Sequence, residues 1–193
     1  MIIRDKKRLE KKCNPVPTIR EGEDIAIKLF DELVKSKVGG IGLAANQIGI
    51  NKRVCVINVK EPIAFINPKI VKLDGEVIVP ESCLSFPKKL ITTKRARWVT
   101  IESDNHGKLV LGSDKNDDSL LEGVCAQHEI DHLDGITMFD RRFIKPPLRS
   151  NKIGRNQKVT IKKGDESKVM KYKKAQSLLE DGWTIQTTTL SEQ

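Results

Sequence analysis

After Thr18, apolar side chains recur every fourth position at Ile25, Leu29 and Leu33, and Thr18 with Glu21 has capping-box spacing. This predicts a helix that begins after Thr18 and stops at Gly39 and Gly40. Beyond it the pattern changes to alternation and short apolar runs. These predict strands at 53–59, 64–71 and 77–79, and a hairpin of 97–102 with 108–111 around the turn Asp104-Asn105-His106-Gly107. Helical spacing returns at Leu120, Leu121, Val124, Cys125, His128 and His132, opened by Ser119 and Glu122 and closed by Gly135. A helix, a run of antiparallel strands and a second helix make an α+β domain. Pro146 and Pro147 mark a boundary, after which strands at 159–161, 169–172 and 183–185 and a helix at 174–180 read as a small ββαβ-like C-terminal extension. The expected division is therefore 1–145 and 146–193.

Charge sharpens that division. The 193 residues carry a net +9, yet residues 1–140 hold 22 Lys and Arg against 21 Asp and Glu, while 141–174 hold 13 against 2. The basicity is local to the region after Asp140. Aromatic residues make up 4% of the chain, which leaves little surface for base stacking. The start, MIIRDKKRLEKK, has no apolar core of a signal peptide, and no run approaches the ~20 apolar residues of a membrane span, so a cytoplasmic protein with no membrane partner is expected. Cys13, Cys55, Cys83 and Cys125 stand singly, without the CxxC pairs of a zinc ribbon. In such a chain a cysteine near ligand-type residues points to metal binding or catalysis before a disulfide.

The chemistry concentrates in His128-Glu129-Ile130-Asp131-His132. Two imidazoles four apart on a helix lie one turn, or about 6 Å, from each other and can bind one divalent ion. Glu129 points about 100° around the helix, where a general base can touch a water without being a ligand. Surface histidines also arise at this spacing by chance. A catalytic site wants a third protein ligand, and His106 falls in a turn, which leaves Cys83 as the better one. A cysteine in that position is by itself more often a small buried hydrophobe. A third segment, Gly40 to Gln47, combines two glycines and two alanines with an amide donor, and lacks the Lys-Ser or Lys-Thr of a phosphate loop.

Taken together, Gly40 to Gln47, Glu81 to Ser85 and Gln127 to His132 resemble, in order and spacing, the GxGLAAxQ, EGCLS and QHExDH motifs of the peptide deformylases. The resemblance covers about residues 5–142. It implies antiparallel strands packed around a central helix that carries the HExxH motif. It further implies hydrolysis of the N-formyl group from the initiator methionine of nascent polypeptides, with release of formate. Cys83, His128 and His132 would bind one divalent metal ion, Fe(II) first, with Zn(II), Ni(II) or Co(II) as substitutes. Glu129 would be the base, and Gln47 with the Leu84 N–H the oxyanion hole. Ile41, Gly42, Val79, Leu121, Val124 and Cys125 would receive the methionyl substrate, with Glu81 orienting the motif beside them. Two departures stand out: Ser82 occupies the usual glycine position, and Gly39 occupies a position that is acidic in many relatives.

Two other readings compete. HExxH is also the helix of zinc metallopeptidases, but these take a third His or Glu further along, and the next Glu here is Glu166. An RNA-binding protein with a structural metal site would explain the basic segment and leave the three motifs unexplained. As an added property, the segment 141–174 is expected to help dock the enzyme on ribosomal RNA.

Overall fold

The computed structural model describes residues 1–36, 39–144 and 153–186. Pro146 and Pro147, and Lys145, Arg149 and Lys152 of the basic segment, lie outside the described residues. The chain divides into two compact units, Met1–Ile144 and Lys145–Gln193.

The first unit opens with α1 (Lys6–Leu9) and α2 (Ile19–Lys35). Thr18 caps α2 by accepting a bond from the Glu21 N–H, as its spacing predicts. Strands β1 (Gly42–Ala44), β2 (Val54–Asn58) and β3 (Pro62–Ile66) form an antiparallel sheet with β2 in the middle. A 3₁₀ helix, Ala45–Ile48, follows β1. Then come β4 (Lys69–Asp74), β5 (Val77–Cys83), β6 (Phe86–Arg95), β7 (Trp98–Ser103), β8 (Gly107–Gly112) and α3 (Asp118–Leu133). β7 lies between β4 and β8 in a second antiparallel sheet, and β5 pairs with β6 alone.

Strand β2 explains the layering. Val54 and Val56 pack with Ile25, Leu29 and Leu33 of α2, while Cys55 and Ile57 pack with Ala126, Ile130 and Leu133 of α3. Alternate side chains of one strand thus serve two helices, so VCVI reads as an unbroken apolar run. α2 lies close on β3: a Cβ on Gly22 would fall 2.6 Å from Ile66 Cγ2. Along α3 the side chains from Leu120 to Leu133 are buried, with Leu121 the exception at 43% exposure.

Several boundaries differ from the sequence expectation. The run at 64–71 is two strands, because Asn67 adopts φ 50 and turns the chain ahead of Pro68; its side chain bonds both the N–H and the C=O of Val16. α3 is capped by Asp117, which accepts from the Leu120 N–H at 3.1 Å, rather than by Ser119. β5 continues to Cys83, and β1 and β6 were not anticipated.

The second unit contains β9 (Lys158–Lys163), β10 (Glu166–Lys171), α4 (Tyr172–Glu180) and β11 (Thr184–Gln186), with sheet order β10-β9-β11. Its own core joins Val159, Ile161, Ala175 and Trp183.

Candidate active site

Glu81 and Cys83 are two residues apart on β5 and therefore face the same way. The register shifts between them, with the surplus residues on β6, where Ile91 lies opposite Glu81 and Phe86 opposite Cys83. Cys83 meets the histidines of α3. On α3, His128 and His132 lie one turn apart, edge to face, with ring centroids 4.9 Å from each other. Cys83 Sγ lies 3.2 Å from His132 Nε2, and the ligand atoms of Cys83, His128 and His132 all lie within 4.8 Å of one another.

A buried ionic network holds this cluster. Glu81 accepts from His128 Nδ1 at 2.7 Å, from Arg95 Nε at 2.6 Å and Nη2 at 3.0 Å, and from Thr93. Arg95 also bonds Asp131, which receives a bidentate grip from Arg141. Burial would raise the Glu81 pKa, but the bonds from His128 and Arg95 hold its carboxyl well below the usual range. An ionised Glu81 only accepts, so the proton sits on His128 Nδ1 and the Nε2 lone pair is left for another partner. His132 is kept neutral, its pKa depressed by burial and by the His128 and Arg95 charges. Burial opposes a proton on His128, yet Cys83, Glu81 and Glu129 raise its pKa well above the ordinary value. One thiol and two imidazoles, converging in a buried site, fit a divalent metal.

Gln47 approaches from the 3₁₀ helix. Its carbonyl accepts from the Ala44 N–H at 2.8 Å, and its amide donates to Ser85 Oγ at 3.1 Å beside Cys83 Sγ at 3.4 Å. Glu129 is buried, with one carboxylate oxygen, Oε2, lacking a partner. Desolvation pushes its carboxyl up to about 7, against the pull of His128. Gly42 leaves room for it: a Cβ there would fall 2.5 Å from Glu129 Oε1 and 2.6 Å from Cys125 Sγ.

A cleft of about 1250 Å³ opens onto these groups. Ile41, Gly42, Gln47, Val79, Glu81, Cys83, Leu84, Leu121, Val124, Cys125, His128 and Glu129 all line it, and His132 lies behind them. Exposed Ser82 is on its wall. His106 is remote, exposed and bonded to the Ala64 carbonyl. Glu81 lines the cleft, but both its oxygens are spent on His128, Arg95 and Thr93. Sequence reasoning missed Thr93 and Arg95, and took Ser85, Asp131 and Arg141 only as parts of the matching segments. A signal existed: an acid two residues before a ligand on a strand shares its buried face and needs a cation.

The family model for polypeptide deformylase matches residues 1–152. The chain belongs to the polypeptide deformylase family. Among curated relatives, the peptide deformylase of Desulforudis audaxviator is 42% identical over 147 residues, covering 72% of this chain and 86% of that protein. That of Neisseria meningitidis serogroup C is 36% identical, covering 80% and 93%. The crystal structure of a peptide deformylase from Legionella pneumophila superposes with a TM-score of 0.63 at 33% identity, covering 76% of this chain and 86% of that one. Members of this family are metalloenzymes, and in this chain the possible metal site is Cys83, His128 and His132. Among the described residues no helix is long and apolar enough to cross a membrane.

Proposed function

We propose that the family's reaction, hydrolysis of the N-formyl group of nascent peptides, is carried out in this chain by Glu129, Gln47 and the Leu84 N–H beside a metal held by Cys83, His128 and His132. The carrying observation is the convergence of those three ligand atoms within 4.8 Å at the floor of a cleft that Glu129 also lines. A bound divalent ion lowers the pKa of water and polarises a carbonyl oxygen. Glu129 takes the proton of the attacking water as its oxygen adds to the formyl carbon. The Gln47 amide and the Leu84 N–H donate to the oxyanion that develops. The C–N bond then breaks as Glu129 passes the proton to the departing amine, which leaves formate and a free N-terminus. Glu81 keeps His128 in its ligand tautomer.

Ile41, Gly42, Val79, Leu121, Val124 and Cys125 receive the methionyl end, with Val77, Val79, Leu120 and Val124 supplying an apolar cluster. Fe(II) is the first choice of ion, with Zn(II), Ni(II) or Co(II) as substitutes, since a thiolate with two imidazoles suits each. The enzyme works in the cytoplasm, residues 141–174 dock it on ribosomal RNA, and the domains are 1–145 and 146–193. In the first, strands pack around α3 as the central helix; the second is the ββαβ-like extension. Incubation with formyl-Met peptides and with unblocked peptides tests the reaction: formate release from the former alone is expected. Internal cleavage without formate would establish a peptidase instead.

A further inference from the structure

The sheet β10-β9-β11 has two unlike faces. On β9, Val159 and Ile161 turn into the core with α4, so Lys158, Thr160 and Lys162 turn to the other side. Register places Lys171 opposite Lys158, Val169 and Gln186 opposite Thr160, and Ser167 and Thr184 opposite Lys162. Thr160 is half-buried, and the other seven of these side chains are exposed. This open face thus carries three lysines, hydroxyl and amide groups between them, and no carboxylate. Among the described residues the unit's acids lie elsewhere: Asp165 and Glu166 at the hairpin end, and Glu180 and Asp181 at the end of α4.

Two other lysines of this unit are engaged within it. Lys168 sits 4.5 Å over the Trp183 ring and 3.6 Å from Glu166, and Lys163 Nζ donates to the Asp181 carbonyl at 2.6 Å. Lys158 and Lys171, by contrast, are directly cross-strand, an arrangement of like charges that destabilises a sheet unless an anion lies over it. Both aromatics of the unit, Tyr172 and Trp183, belong to its core, so the open face cannot stack bases. Cations with interspersed hydroxyls and no aromatic suit the phosphates and 2′-hydroxyls of an RNA duplex.

We infer that the open face of β10-β9-β11, through Lys158, Lys162 and Lys171, binds the backbone of double-stranded RNA. The choice of RNA rests on the reading of the chain as an enzyme of nascent peptides, which emerge from an RNA-rich particle. The family match ends at residue 152, before this surface begins.

The full-length metal-loaded enzyme is titrated with a duplex RNA, the matching duplex DNA and intact ribosomes over a range of KCl. Lys158→Glu with Lys162→Glu is expected to weaken RNA and ribosome binding at least about tenfold. The slope of log K against log salt should fall by about 2. Lys173→Glu with Lys174→Glu, the same charge change on α4, is expected to stay within about twofold of wild type. The milder pair Lys158→Gln and Lys162→Gln should show the same trend, so a folding defect in the glutamate pair does not blunt the test. Equal losses in the sheet and helix variants, equal affinity for DNA, or no RNA binding by wild type would each overturn the inference. Formate release from a free formyl-Met peptide, measured on the same samples, reports separately on the catalytic reading.

Discussion

In the unit Met1–Ile144 the Arg95 side chain is 3% exposed and its guanidinium spans Glu81 and Asp131. In the unit Lys145–Gln193, Lys158, Lys162 and Lys171 stand exposed on a sheet face that carries no carboxylate. The same kind of charge therefore does different work in the two units. Desolvated and matched to two carboxylates, Arg95 is a positional device: its worth lies in fixing Glu81, and through Glu81 the ring of His128. Left in water without a partner, the lysines contribute little to their own fold and remain available to an anion.

That contrast can be broken at either end. Arg95→Met should destabilise the folded enzyme by about 3–5 kcal/mol in urea titrations, because Glu81 and Asp131 would stay buried without their shared cation, and metal affinity should fall roughly 10–100-fold. Full stability in that variant would show the network to be dispensable. Gly42→Ala should lower kcat/KM on the order of 100-fold with bound metal unchanged, since the new methyl displaces Glu129 rather than a ligand. A smaller effect comes from Cys13, whose thiol burial pushes up to about 11. The folded state keeps that proton longer than the unfolded chain, so its stabilisation is complete below the ordinary thiol pKa and is lost as pH rises through about 11. Between those limits wild type should lose roughly 2 kcal/mol more than Cys13→Ala, as read by denaturant midpoints. Smallest of all, Lys158→Ala should shift stability by no more than about 0.5 kcal/mol. A large loss there would make the open sheet face part of its own fold.

Much of this organisation can be read along the chain. Helix α2 starts at its Thr18 cap, the two histidines fall one turn apart on α3, and the three motif segments converge on one cleft. What escaped reading was set by partners distant in sequence. β6 is long but largely exposed, with Lys88, Lys89 and Leu90 in a row, so neither alternation nor an apolar run marks it. It forms because β5 needs a partner, and that pairing delivers Thr93 and Arg95 to Glu81. The break at Asn67 depends on its bonds to Val16, 51 residues away. Asp117 wins the cap of α3 from Ser119 because its carboxylate reaches the Leu120 N–H two residues ahead of the position that the capping-box spacing marks. Basicity after Asp140 was visible as a count. Its division into an open face and engaged lysines required the register of β9 with its neighbours.

The central claim is that Glu129 moves the proton while Cys83, His128 and His132 hold the metal. Formate release from a formyl-Met peptide by Glu129→Gln, with bound metal measured on the same sample, tests it most directly. The account predicts a fall in kcat on the order of 10²–10⁴ with metal content retained. Near wild-type turnover by that metal-replete variant would contradict it.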